Sequence, residues 1–78
     1  MYQILIKIPT ASFIDGSDMN DVIQRAQNYD SRVGQIQASN ATYNIVGYVS
    51  DTDNSSVFDT LKIDLPEIIV ISNEIEEG

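Results

Sequence analysis

Cysteine, histidine and tryptophan are absent from the 78 residues, and basic side chains number 4 against 12 acidic ones. Without Cys there is no disulfide staple, thiolate nucleophile, iron–sulfur cluster or thiolate zinc site. Without His the usual proton shuttle at neutral pH and the commonest transition-metal ligand are missing too. Acyl-transfer triads and redox dithiols are therefore excluded, and no cofactor is expected. The formal charge of −8 repels phosphate backbones, and Lys7, Arg25, Arg32 and Lys62 are scattered along the chain, so no nucleic acid partner is expected. The apolar run at residues 2–8 is interrupted by Gln3 and Lys7 and falls far short of the ~20 residues of a membrane span. A cytoplasmic protein without a membrane partner is the expectation.

What is present reads as a small α+β domain. Residues 2–8 put Tyr2, Ile4, Ile6 and Ile8 on one side and Gln3, Leu5 and Lys7 on the other, the period of a strand. Pro9 closes it, and residues 14–17 form a turn. From Met19 the period lengthens: Met19, Val22, Ile23, Ala26 and Tyr29 share one helical face, opposite Asp21, Gln24, Gln27 and Asn28. Ser17 or Asp18 suits the N-cap, and Asp30, Ser31 and Gly34 provide the exit.

Two strands follow around Ser39 and Asn40, at residues 34–38 and 41–50. The second alternates Tyr43, Ile45, Gly47 and Val49 with Asn44, Val46 and Tyr48, so neither side is cleanly polar. Gly47 marks a bulge or a close approach by a helix. A polar loop at residues 51–56 leads into a second, shorter helix with Val57, Phe58, Leu61 and Leu65 on one face, ended by Pro66. Residues 68–72 form the last strand, and a tail containing Glu74, Glu76 and Glu77 completes the chain.

The order β-α-β-β-α-β is that of the ferredoxin-like plait, a four-stranded antiparallel sheet in spatial order 4-1-3-2 with both helices on one face. The domain is expected to span residues 1–73, with residues 74–78 an acidic tail. The predicted core draws on Ile4, Ile6, Ile8, Val22, Ile23, Ala26, Ile45, Val49, Phe58, Leu61, Leu65, Ile69 and Ile71. The open face would then carry Gln3, Leu5, Lys7, Asn44, Val46 and Tyr48. RNA-recognition domains stack bases on aromatics from these two central strands, whereas here Leu5 replaces one aromatic and only Tyr48 remains.

Two acidic groups have some features of a metal site. Asp51, Asp53 and Ser55 have the opening spacing of a calcium loop, but Ser56 stands where that loop needs Gly and Lys62 where it needs the bidentate Glu. Asp15, Asp18 and Asp21 fall at a turn and on a solvated helix face, where helix capping explains them. No metal site is expected.

The opening strand at residues 2–7, the segment 57–61 and the proline-led run from Leu65 to Ile71 resemble the propeptide-like inhibitors of subtilisin-type proteases. That family has the same plait, and its residues after the last strand lie in the protease cleft. The resemblance would assign that role to residues 73–78. Metal-carrying plaits need a Cys-x-x-Cys loop and acylphosphatases an arginine after the first strand, and this chain has neither. Amino-acid-binding regulatory plaits, which hold ligands at subunit interfaces through backbone groups, stay open.

The sequence therefore predicts a non-enzymatic, acidic protein-interaction module, an inhibitor or adaptor. Its contacts would be Leu5, Val46 and Tyr48 on the sheet and Glu74, Glu76 and Glu77 in the tail, facing a partner with a basic surface. Self-association through the sheet face as a small-ligand-binding regulatory homodimer, and protease inhibition, are the alternatives.

Overall fold

In the computed structural model, which describes residues 1–12 and 16–75, strands and helices follow in the anticipated order. Strand β1 spans Tyr2–Pro9, helix α1 Gly16–Tyr29, β2 Ile36–Ser39, β3 Tyr43–Ser50, helix α2 Asp59–Asp64 and β4 Ile69–Glu74. The chain is thus α+β, with one four-stranded sheet in the order β2-β3-β1-β4 and every pairing antiparallel. Read from the other edge, that order is 4-1-3-2.

Local chemistry accounts for most boundaries. Pro9 is the last residue of β1, where its missing N–H costs least. Helix α1 starts at Gly16, ahead of the anticipated caps Ser17 and Asp18, and buries Val22 and Ala26 while Asp21, Gln24, Arg25, Gln27 and Asn28 stay exposed. The predicted turn at residues 14–17 lies partly outside the described residues. After the helix, Gly34 takes φ +107°, a left-handed conformation in which a Cβ is strained. The β2–β3 hairpin closes on Asn40, whose side-chain oxygen accepts the N–H groups of Thr42 (2.8 Å) and Tyr43 (2.7 Å).

The second helix is shorter than its apolar spacing predicts. A 3-10 turn covers Ser55–Phe58, and α2 proper begins at Asp59. Asp53 anchors the turn: its carboxylate accepts from the Ser55 backbone N–H (3.1 Å) and hydroxyl (2.7 Å). Phe58 and Leu61 are buried as anticipated, but Val57 is 38% exposed. Strand β4 starts one residue later than predicted and runs to Glu74, two residues past the predicted strand end. Tyr2 pairs with Glu74, Gln3 with Asn73, and the Ile75 N–H donates to the Met1 carbonyl at 2.9 Å.

A single buried cluster gathers Ile4, Ile6 and Ile8 of β1, Val46 and Tyr48 of β3, Val22 and Ala26 of α1, Phe58 and Leu61, together with Val33 and Ile68. Its membership corrects the sequence reading of two strands. Val46 and Tyr48, predicted for the open face, are buried at 4% and 0% exposure, while Ile45, Val49, Ile69 and Ile71, predicted for the core, lie outside the cluster. Register is the physical reason. Tyr48 stands opposite Ile4 and Val46 opposite Ile6, and directly paired residues point to the same side of a sheet. In β4 the same rule turns Val70 and Ser72 toward the core, opposite Ile6 and Ile4.

Candidate interaction face

The second side of the sheet is fixed by the same register. Leu5 lies between Gly47 and Ile71, Lys7 between Ile45 and Ile69, and Gln3 between Val49 and Asn73. Beyond β3, Ile36 faces Gly47 and Ala38 faces Ile45, while Tyr43 pairs with Pro9 at the end of β1. The result is an apolar field across all four strands, interrupted by two amides and one ammonium group. None of its positions is Asp or Glu, although the chain has 12 of them. Ile69 is 42% exposed, and Leu5, Ile36, Ile45, Val49 and Ile71 are half-buried.

At the centre of this face Gly47 is obligatory. A Cβ there would overlap the Ile4 carbonyl oxygen and come within 2.9 Å of Leu5 Cδ2. The close approach inferred for Gly47 is therefore made by the β1 backbone, not by a helix. The Leu5 side chain lies over the space a larger residue would fill, which keeps the centre of the face low.

Charge is distributed in a matching way. Arg25 pairs with Asp21 (3.1 Å), Arg32 with Asp30 (2.7 Å) and Lys62 with Asp59 (3.1 Å). Lys7 has no carboxylate partner among the described residues. Its ammonium sits 4.5 Å from the centre of the Tyr43 ring, a cation–π contact on the apolar face itself.

Tyr48 belongs to a different arrangement, which the sequence did not reveal. Its hydroxyl donates to Asn54 Oδ1 (2.5 Å), and Asn54 Nδ2 donates to Asp30 Oδ2 (2.9 Å). Asp30 also accepts from the Arg32 backbone N–H (2.9 Å), Nε (3.0 Å) and terminal guanidinium nitrogen (2.7 Å), and that guanidinium lies 4.6 Å from the centre of the Tyr48 ring. The Arg32 side chain holds the Asp30 carboxyl well below the usual carboxylate range, while burial pushes the Tyr48 phenol up to about 12. These four residues join the end of α1, β3 and the loop before the 3-10 turn. The network acts as a tie between elements, and the Asp-x-Arg spacing of Asp30 and Arg32 is its only sequence signal.

Elsewhere the chemistry is sparse. A cavity of about 320 Å³ opens between α1, β2 and β3, lined by Met19, Ile23, Gln37, Ala38, Ser39, Asn44, Ile45 and Val46, with no titratable group in its wall. Asp53 is held below its ordinary carboxyl range, first by the Ser55 hydroxyl. Among the described residues no three carboxylates converge on a metal position, and no helix is long and apolar enough to cross a membrane. Of the predicted contact residues, Leu5 lies on the apolar face, Val46 and Tyr48 lie in the core, and Glu74 ends β4 opposite Tyr2. Glu76 and Glu77, like Asp15 and the side chain of Asp18, fall outside the described residues. Compared with protein-family models, curated proteins and solved structures, the chain matches none.

Proposed function

We propose that the chain is a non-enzymatic protein-interaction module, and that it binds through the carboxylate-free apolar face of its sheet. The observation that carries this reading is the segregation of charge: in a chain with 12 acidic residues, no strand position of the four-strand field centred on Leu5, Ile45 and Ile71 is Asp or Glu. Sheets bury apolar faces, and a patch of this extent on a small domain marks a contact surface. The proposal includes a ferredoxin-like plait with α1 and α2 on the opposite side, above Ile4, Ile6 and Ile8. Support comes from the one buried cluster that unites side chains of both helices with that row of β1.

The partner is another protein surface, because the face offers hydrophobic area with few polar groups to orient a small molecule. A photo-crosslinking side chain installed at Leu5 or Ile69 and, as control, at Ile63, which is 79% exposed on α2, tests it in cells that make the protein. Adducts to a defined protein from the sheet positions and not from the helix position are the expected result. Equal labelling from both sides, or none from the sheet, would remove the reading.

A further inference from the structure

We infer that the occupant of this face is a second copy of the same chain, packed sheet against sheet. The inference rests on the interaction face proposed above and names its partner.

Area is the first ground. Four strands about 4.8 Å apart and at most about 27 Å long present roughly 400–500 Å² per copy. Two copies together bury about 800–1,000 Å² in projection, and somewhat more as accessible surface, which reaches the lower limit of specific interfaces. Burial of this size is that of a weak, reversible contact.

Charge and shape supply the second ground. A partner chosen for basic residues finds no carboxylate at the strand positions of the face to pair with, since among the described residues its one ionised group is Lys7, already against the Tyr43 ring. A second copy brings the same apolar centre of Leu5, Gly47 and Ile71, with its one Lys7 held against its own Tyr43 ring, so no carboxylates of the two copies are forced together at the strand positions where the faces meet. Leu5 lying over Gly47 keeps that centre low, and two such faces stack at the ~10 Å spacing of packed sheets. A two-fold axis makes the contact isologous, with the same residues contributed by each copy.

The acidic remainder gives this dimer a signature. Each copy carries a formal net charge of −8, with no carboxylate at the strand positions of the face, so added salt screens repulsion between rims and tightens the dimer, whereas an acidic-to-basic contact weakens with salt. Sedimentation equilibrium on the full chain at about 20 mM and about 500 mM NaCl reads this directly. The expected result is a monomer–dimer equilibrium that is tighter at high salt. Leu5→Asp and Ile69→Lys should each weaken it by about 100-fold, while Ile63→Asp leaves it unchanged. Ile69 is already 42% exposed, so its variant keeps the experiment decisive if Leu5→Asp fails to fold. A dimer that survives the Ile69→Lys change, or one that loosens with salt, overturns the inference. A wild-type chain that stays monomeric at both salts overturns it too, and bis-ANS then separates the two levels. Dye bound by wild type and lost in Ile69→Lys leaves the face as a docking surface for another protein, whereas no dye binding removes that reading as well.

Discussion

Tyr48 offers the sharpest test of which side of the sheet is the core. It is fully buried, its ring lies 6.3 Å from that of Phe58 and 4.6 Å from the Arg32 guanidinium, and its hydroxyl donates to Asn54. Truncation to Ala removes an aromatic side chain from a closed site, which costs about 3–5 kcal/mol. A domain of 78 residues has roughly 4–12 kcal/mol of stability in all, so Tyr48→Ala should be largely unfolded or close to it. Leu5→Ala, on the second side, should cost about 1 kcal/mol or less. Tyr48→Phe isolates the hydroxyl: Asn54 loses a donor, at a cost of about 1 kcal/mol near neutral pH.

The same hydroxyl predicts an alkaline dependence with a definite sign. The phenol titrates at about 12 when folded against 10.0 in the unconstrained side chain. Between these values the unfolded chain releases a proton that the folded chain keeps, so the stabilisation is complete below pH 10.0 and is lost as pH rises through about 12. Two pH units correspond to about 2–3 kcal/mol. Urea denaturation followed by circular dichroism, at several pH values, measures wild type minus Tyr48→Phe, a difference in which the other tyrosines and the lysines largely cancel. That difference should favour wild type near neutrality and reverse sign toward pH 12. A constant difference across the range, or a Tyr48→Ala cost no larger than that of Leu5→Ala, would refute both the burial and the register.

Two further substitutions probe the central strand pair and the polar tie. Gly47→Ala forces a Cβ against the Ile4 carbonyl oxygen in the middle of the β1–β3 pairing. It should cost about 3 kcal/mol or more in urea midpoints, and near-neutral behaviour would mean that the strands pair differently. Asp30→Asn removes a carboxylate that is 9% exposed and accepts from Arg32 and Asn54, at about 1.5–3 kcal/mol above pH ~5. Because the folded carboxyl titrates below its ordinary 3.8, this advantage is present above that value and fades as pH falls further. A wild-type advantage that persists unchanged into strong acid would argue against the charge-assisted pairing.

Element types were legible in the sequence wherever one period dominated. In residues 2–8 a single row of Ile4, Ile6 and Ile8 stood against Gln3 and Lys7, and burial follows that row. Helix α1 likewise buries Val22 and Ala26 against a polar back. Strand β3 carries apolar residues in both rows, so alternation alone could not decide which row faced inward. The choice depends on long-range facts: Tyr48 fills the site beside Phe58 and finds Asn54, while Gly47 in the other row tolerates the close β1 backbone. Strand β4 shows the same ambiguity in its unbroken apolar run, and a shift of one residue exchanges the roles of Ile69 and Val70. The error in β3 moved Val46 and Tyr48 onto the open face and removed Ile45 and Val49 from it, and the error in β4 removed Ile69 and Ile71. The sequence reading therefore recognised that the face was mixed but greatly underestimated its apolar content.

That correction also changes what the chain's acidity means. With a half-polar open face, the charge of −8 stood as a separate candidate determinant of binding, aimed at a basic groove. An open face built from Leu5, Ile36, Ile45, Val49, Ile69 and Ile71 makes a different demand, because a small domain exposing such a surface before it meets its partner is prone to non-specific association. Net charge far from zero opposes that association, and it does so without weakening the specific contact only if the carboxylates stay away from the contact itself. Among the described residues this is their distribution: Asp21, Asp30 and Asp59 pair with Arg25, Arg32 and Lys62, Asp53 caps a turn, and no strand position of the apolar face is acidic. The acidity and the apolar face are thus two parts of one physical arrangement, in which net charge opposes non-specific association and the strand positions of the face stay free of carboxylates.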